Sequence, residues 1–102
     1  MIYIKIHKTD NGKMVALCDE SLIDKVLEDK EIVIDIKNYS DFYKGDLIPS
    51  KELSVIVSAN EIVSANVIGR ESVDAAIGSK VIDGSRVKTV NGVPYAHAYK
   101  IY

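Results

Sequence analysis

Hydrophobic and polar residues alternate at the start of the chain. Isoleucine occupies every second position over residues 2–6, a period of two that is typical of a half-buried strand. Asn11-Gly12 follows, and this dipeptide favours a tight hairpin because a type I′ turn needs positive φ at both central residues. We therefore predict a first hairpin that returns over residues 14–18 and places Ile6 opposite Leu17.

The end of the chain shows a similar pattern. Strand-like residues 87–90 and 93–101 flank Asn91-Gly92, which predicts a second hairpin. Pro94 lies in the returning strand and has no backbone N–H to donate. We therefore predict that this strand is incompletely paired on its outer side near Pro94.

The residue pattern in the middle of the chain predicts a third strand and most of the helices. Residues 31–37 alternate isoleucine with polar neighbours, which indicates the strand. The remaining predicted elements are a short helix that follows Asp19 and ends near Leu27, a loop over residues 38–48, a helix with Ser50 as its N-cap, and a helix over residues 70–78 that ends at a glycine. Residues 55–57 are all β-branched, so a strand is an alternative to the helix there.

The tetrapeptide Val-Ser-Ala-Asn occurs twice, at residues 57–60 and 63–66. Two helical copies separated by six residues would not share a face. The first copy continues an apolar helical stripe, whereas the second leads into Val67-Ile68-Gly69. We interpret the similarity as a chance echo, with the second copy as the meaningful one.

These elements predict an α+β fold in which two β-hairpins and a third strand form a mainly antiparallel sheet, with two to three helices packed on one face. The chain has 102 residues and is 47% hydrophobic, which suits a single domain over residues 1–102. No apolar run approaches ~18 residues, so we expect no membrane span and a cytoplasmic location.

The net charge of the chain limits which classes of molecule it is expected to bind. Thirteen basic and fifteen acidic residues give a net charge of −2, which argues against a protein that coats nucleic acid with a generally basic surface. Residues 1–50 carry seven basic and ten acidic groups, whereas residues 51–102 carry six and five. An anion-binding site is therefore expected in the second half of the chain.

The first candidate site is one face of the second hairpin. A two-residue turn places Lys88 opposite Tyr95 and Arg86 opposite His97. Cationic, imidazole and aromatic side chains together can hold a phosphate, a carboxylate or a nucleobase. The same residue types are also typical of a solvated outer sheet face, and both interpretations stay open.

Turns and loops supply further candidates. Asn66 and Gly69 precede a helix whose free N–H groups can receive an anion, and Gly69 would let a ligand approach the backbone; the alternative is ordinary capping. Asp19 and Glu20 are adjacent carboxylates that suit acid–base or metal chemistry, or helix capping. Tyr43 lies in an aromatic loop that either packs locally or contributes to binding.

Nucleophilic chemistry has little support in the sequence. The predicted register places Lys5 beside Cys18, which would lower the pKa of the thiol, but no base is evident near it. The single cysteine also excludes a disulfide within the chain. Because no complete catalytic set, cofactor motif or metal-ligand pattern is present, we predict no catalytic residue, no cofactor and no metal.

Five motifs together point to a known family. In chain order they are ALCDESL, FYKGD, ANVIGRESVDAAI, VIDG and NGVPYAHA. In order and spacing, over residues 15–98, they resemble the archaeal DUF424 family of small single-domain proteins of unknown function. The resemblance implies an archaeal, cytoplasmic protein linked to translation, and it transfers no activity. The family pattern has a histidine directly after the proline, where this chain has Tyr95; His97 follows two residues later on the same strand face.

The leading function hypothesis is a non-enzymatic binding module linked to translation or RNA-related information processing, with a ribosome or translation factor as partner. It would use the hairpin face together with the turn at residues 66–69. One alternative is a small enzyme acting on a phosphorylated or nucleotide substrate, with His97 as acid/base and Asp19 or Glu20 as the carboxylate. A second alternative is a scaffold protein that forms a homodimer through an exposed strand edge.

Overall fold

The computed structural model of the protein describes residues 1–99, so the last two positions of the strand predicted over residues 93–101 lie outside the described residues. The strands are β1 (Ile2–Thr9), β2 (Gly12–Asp19), β3 (Val26–Glu28), β4 (Val33–Asp35), β5 (Asp46–Ile48), β6 (Ile62–Ile68), β7 (Lys88–Val90) and β8 (Val93–Tyr99). The α-helices are α1 (Ser40–Tyr43), α2 (Leu53–Ala59) and α3 (Arg70–Gly78), and short 3₁₀ turns cover Glu20–Leu22, Ser50–Glu52 and Gly84–Arg86.

Six strands form one mixed sheet in the order β5-β1-β2-β6-β8-β7, and β3 and β4 form a separate two-stranded sheet. Strands β2 and β6 are parallel, and every other neighbouring pair in the large sheet is antiparallel. The predicted α+β class is therefore confirmed, as are both hairpins. The predicted third strand is wrong in its placement, because it forms β4 outside the large sheet.

Strand β6 joins the two hairpins and was missing from the predicted sheet. Ala65 and Val67 face one side of the sheet, and Ile68 is buried on the other side. A strand that is covered on both faces does not show the apolar–polar alternation of a half-buried strand. The sequence pattern therefore gave no clear strand signal there.

The two hairpin turns differ although both contain Asn-Gly. Asn91 and Gly92 both have positive φ, +48° and +80°, as a type I′ turn requires, and Lys88 lies opposite Tyr95 as predicted. In the first hairpin Thr9 pairs with Gly12, so the loop residues are Asp10 and Asn11.

The predicted register of the first hairpin is therefore wrong by two residues. Ile6 lies opposite Val15 instead of Leu17, and Lys5 lies opposite Ala16 instead of Cys18. A shift of two residues leaves every side chain on the same face, and so the hydrophobic pattern could not reveal it.

The first core lies between the sheet and helices α2 and α3, on a side that we call the helix face. Alternate residues of the central strands point into it, and Leu53 of α2 and Val73 and Ala76 of α3 cover them. Helix α3 begins and ends where the sequence predicted, and it turns Arg70 and Asp74 outward as an exposed i,i+4 ion pair of 3.7 Å.

The opposite side of the sheet, which we call the hairpin face, carries a second core. Ala16, Cys18 and Ile68 of the sheet are covered there by Ile36 and Tyr43, which belong to the β3–β4 hairpin region and to α1. The chain between β2 and β6 therefore covers the hairpin face first and then supplies α2 to the helix face. The prediction that all helices pack on one face is wrong.

Three local predictions in this segment also differ from the structure. The helix predicted between Asp19 and Leu27 is a single 3₁₀ turn followed by β3, because Leu27 is used to cover the hairpin face. The loop predicted over residues 38–48 contains α1 and β5. Ser50 is not an N-cap; it begins a 3₁₀ turn preceded by Pro49, with no side-chain cap.

Pro94 marks the end of the β6–β8 ladder, as predicted. The ladder runs to the pair Ile68–Tyr95. Beyond it the Gly69 N–H donates to the Pro94 carbonyl at 2.8 Å, and the chain then turns into α3. Within residues 1–99, no helix is long and apolar enough to cross a bilayer.

Candidate functional site

A groove of about 330 Å³ opens on the hairpin face, between the sheet and the covering segment. Strands β6 and β8 form its floor, and β4, α1 and the residues between them form its wall. Its lining combines four aromatic rings with three polar side chains: Tyr39, Phe42, Tyr43, Tyr95, Asp35, Asn66 and His97. Four of the residues singled out in the sequence thus meet here: Tyr43, Asn66, Tyr95 and His97.

Two side chains of β1 hold the wall of the groove in place. The Nε2 atom of His7 lies 2.8 Å from the Phe42 carbonyl, and the two rings stack with their centroids 4.5 Å apart. Lys5 donates to the Asp41 carbonyl at 2.6 Å. No role for His7 could be predicted from the sequence, where its only signal is that it shares a strand face with Lys5.

Tyr43 connects the wall to the floor. Its hydroxyl donates to Asn66 Oδ1 at 3.3 Å. Burial, with the nearby Cys18 thiol as a smaller cause, raises the pKa of Tyr43 to about 12. Tyr43 therefore remains protonated at neutral pH and able to donate this hydrogen bond.

A second hollow, of about 340 Å³, adjoins the groove and shares two of its residues. Tyr95 and His97 line both concavities, and Arg86 and Lys88 supply two cations to the second one. The rings of Tyr95 and His97 meet edge to face, with centroids 6.0 Å apart. We call this second concavity the cationic hollow.

Arg86 reaches the cationic hollow without being the strand partner of His97, so the predicted pair is wrong. Residues Gly84–Arg86 form a 3₁₀ turn, and the Asp83 carboxylate caps it by accepting from the Ser85 N–H at 3.0 Å. Strand β7 consequently begins only at Lys88.

Comparison with protein families matches residues 6–101 to DUF424, described as a protein of unknown function. The chain belongs to the DUF424 family. A crystal structure of an uncharacterized conserved protein from Methanopyrus kandleri is similar, with a TM-score of 0.77, 22% sequence identity, and coverage of 98% of this chain and 91% of that chain. At this identity the similarity shows the fold alone. Comparison with curated proteins gives no match.

Asp19 of this DUF424 protein lies on the helix face, away from the groove. Its carboxylate accepts from the Glu71 N–H at 3.2 Å and from the Ser72 N–H and hydroxyl at 2.7 Å each. It therefore caps α3 across the fold instead of the local helix that the sequence predicted. Gly69 is close to it: a Cβ at Gly69 would overlap the Asp19 carboxylate.

This geometry corrects the anion-site prediction at the start of α3. The helix N-terminus is already occupied by the Asp19 carboxylate, so the space at Gly69 serves Asp19 rather than an approaching ligand. Glu71 adds a second carboxylate, which contacts the amino group of Met1 at 3.0 Å. Negative side chains satisfy this site from within the chain.

Asp19 and His97 do not meet, which removes the geometry required by the enzyme hypothesis. His97 pairs with Asn66, which pairs with Ala16. Asp19 therefore lies two strands across the sheet from His97 and three residues further along the strand direction, a separation of about 10 Å in each direction. The side chain of Asp19 also points to the opposite face of the sheet. Glu20 is exposed in the 3₁₀ turn that follows. Residues 1–99 contain no group of three or more His, Cys, Asp or Glu side chains placed to hold a metal ion.

Cys18 of the DUF424 protein is fully buried on the hairpin face. Burial, and then the charge of Asp19, raise the pKa of its thiol to about 12. The predicted lowering by Lys5 is therefore wrong, because the register that placed the two residues together is wrong. At neutral pH Cys18 is a protonated core residue.

Proposed function

We propose that this protein is a non-enzymatic binding module for single-stranded RNA. The observation that carries the proposal is that the aromatic groove and the cationic hollow share two lining residues, Tyr95 and His97. Proteins that bind single-stranded nucleic acid combine rings on which bases stack with positive charge along the backbone. Both elements are present here, side by side.

The groove suits a base and the cationic hollow suits a phosphate. The side chain of Tyr39 is the most accessible ring in the groove, since the residue is 67% exposed, and it offers a face for stacking. Arg86 and Lys88 are both exposed and lie beside His97 in the hollow. Because the whole chain has a net charge of −2, RNA binding depends on this local cluster.

Charge reversal in the hollow provides the main test. We expect Arg86→Glu with Lys88→Glu to weaken binding of a fluorescein-labelled ten-nucleotide RNA at least about tenfold, as measured by fluorescence anisotropy. The slope of log affinity against log salt should become shallower by about 1.4, because two phosphate contacts to a single strand are lost.

Two comparison variants separate charge from stacking. Lys51→Glu with Lys80→Glu makes the same change in net charge at exposed residues away from the hollow, and it should leave binding nearly unchanged. Tyr39→Ala should weaken binding about fivefold to a hundredfold without changing the salt slope, because base stacking is lost. Equal effects of the two charge-reversed pairs would show that net charge alone governs binding, contrary to the proposal.

The narrower form of the proposal is a link to translation, and it rests on the family resemblance alone. We expect the protein in a lysate of its native organism to sediment with ribosomal subunits on a sucrose gradient at moderate salt. The variant with both Arg86 and Lys88 replaced by Glu should remain at the top of the gradient. Recovery of both proteins only at the top would contradict the translation link and leave RNA binding to be judged by anisotropy.

A dimer through a strand edge finds less support than RNA binding. The two edge strands of the large sheet, β5 and β7, are three residues each. Short edge strands offer few free N–H and C=O groups for pairing with a second copy.

A further inference from the structure

Strand β8 has an open stretch of edge at the point where its pairing with β7 stops. Main-chain groups alternate between the two neighbours of an antiparallel strand. Because the Pro94 carbonyl accepts from the Gly69 N–H, Pro94 faces β6, whereas Tyr95 and His97 face β7. Tyr95 meets Lys88 there, and the ladder ends at that pair. The His97 N–H therefore points into a gap, and it has no main-chain acceptor within residues 1–99.

The gap exists because the chain approaches β7 from outside the sheet. A 3₁₀ turn precedes β7, and its Arg86 N–H donates to the Asp83 carbonyl at 2.9 Å instead of to β8. The cationic hollow lies at this gap, since Ala96 and His97 of β8 belong to its lining together with Arg86. The N–H of a residue precedes its carbonyl along the strand, so the His97 N–H is the first unpaired edge group beyond the ladder.

Both cations of the hollow are available to a ligand. Arg86 and Lys88 are exposed, and neither takes part in the ion pairs formed within residues 1–99. The Asp83 carboxylate is close enough to Arg86 to interact with its charge, but it accepts from the Ser85 N–H and forms no ion pair with the guanidinium. Among the described residues, the lining of the hollow contains no carboxylate. The hollow thus combines two positive charges with a fixed N–H donor.

We propose that the cationic hollow binds a terminal phosphate of RNA, a monoester, in preference to a phosphate within the RNA chain; this inference rests on the proposed RNA binding. A phosphate within the chain is a diester with one negative charge and two free oxygens, whereas a monoester has three free oxygens and a charge of about −1.5 to −2 at pH 7. The guanidinium, the ammonium and the His97 N–H offer one source of donors for each of three oxygens. An internal phosphate uses the same hollow with fewer contacts, and in either case a base lies in the adjoining groove.

Three forms of one RNA test the preference. A ten-nucleotide RNA with fluorescein at its 3′ end carries a 5′-phosphate, a 5′-methyl phosphate or a 5′-hydroxyl. The methyl group converts the monoester into a diester and leaves the rest of the probe unchanged. We expect the phosphate form to bind about tenfold more tightly than the methyl phosphate form in fluorescence anisotropy, the ratio that one hydrogen bond to a charged group supplies. The same comparison at the 3′ end, with the label moved to the 5′ end, shows which end is recognised.

Neutral replacements in the hollow connect the preference to its two cations. Arg86→Gln with Lys88→Gln should bring the preference close to one, because the charge that distinguishes the two phosphates is lost. Lys51→Gln with Lys80→Gln is the matched control, since it makes the same change in net charge at exposed residues away from the hollow. It should keep the preference. Equal loss of preference in the two double variants would overturn the role of the hollow.

The main-chain donor has a readout of its own in the NMR spectrum of ¹⁵N-labelled protein. The His97 amide proton should shift downfield when the preferred phosphorylated RNA is added, and it should shift less with the methyl phosphate form. The Ala96 amide is the internal control, because it faces β6 and is paired there. A shift of the His97 amide no larger than that of the Ala96 amide would overturn the role of the main-chain donor.

The same probes separate this inference from the proposed function. RNA that binds equally well with a phosphate and with a methyl phosphate at both ends would overturn terminal recognition and leave RNA binding intact. Wild-type protein that binds none of the probes would contradict the proposed function itself.

Discussion

Gly69→Ala is expected to lower the free energy of unfolding by about 4 kcal/mol. Gly69 has φ of +108°, which strains any residue with a Cβ, and the new methyl group would overlap the Asp19 carboxylate. Displacing Asp19 also removes its hydrogen bonds to the first turn of α3. The free energy of unfolding of a native domain is about 5–15 kcal/mol. Urea denaturation followed by circular dichroism should therefore show a large decrease in the urea concentration at the midpoint of unfolding.

Gly92→Ala separates the two causes of that loss. Gly92 also has positive φ, +80°, but no atom lies within 4 Å of the position that its Cβ would occupy. We therefore expect this variant to lose only the conformational part, about 1 kcal/mol. A loss in Gly69→Ala no larger than that in Gly92→Ala would show that Asp19 moves aside freely.

Asp19→Ala is expected to lower the free energy of unfolding by about 3 kcal/mol. The substitution removes three hydrogen bonds at the start of α3. It also leaves the Ser72 hydroxyl, which is fully buried, without its acceptor. The same urea titration measures the effect, and Asp24→Ala, at an exposed carboxylate, is the matched control.

Two further variants identify the mechanism at Asp19. Asp19→Asn keeps one acceptor oxygen and should recover part of the stability. Adding Ser72→Ala to Asp19→Ala removes the buried hydroxyl together with its acceptor, so the double variant should be less destabilised than the two single effects summed. A loss in Asp19→Ala no larger than in Asp24→Ala would contradict this account. RNA affinity should stay unchanged in Asp19→Asn, because Asp19 lies on the helix face.

The parts of the fold that were predictable from sequence are those whose signal is local. Asn91-Gly92 determines both its turn type and the register of the strands beside it. Helix α3 has an apolar stripe and ends near a glycine, and its bounds were predicted correctly. The first hairpin shows the limit, since a two-residue slip preserves the buried face and Asn11-Gly12 does not form the central pair of its turn.

The candidate site was predictable only in part, because it is assembled from distant segments. Asn66, Tyr95 and His97 stand on neighbouring strands. Tyr95 and His97 were singled out on a predicted sheet face, whereas Asn66 was singled out as part of the turn before α3. Tyr39 was missed, and the aromatic loop with Phe42 and Tyr43 could not be placed, because nothing local indicates that α1 folds over the sheet. Asp19 was predicted to cap the helix directly after it, whereas it caps α3, which begins about 50 residues further along the chain, a distance that capping rules do not cover.

The parallel pairing of β2 with β6 also imposes an order of assembly. The β1–β2 and β7–β8 hairpins each close over a two-residue loop, so their strands meet with little loss of chain entropy. Joining β6 to β2 closes a loop of about 40 residues, which is entropically more costly than either hairpin. Folding therefore combines inexpensive local hairpin steps with costlier long-range pairings, and the groove forms only after β6 has paired with β8 and Asn66 has reached Tyr43.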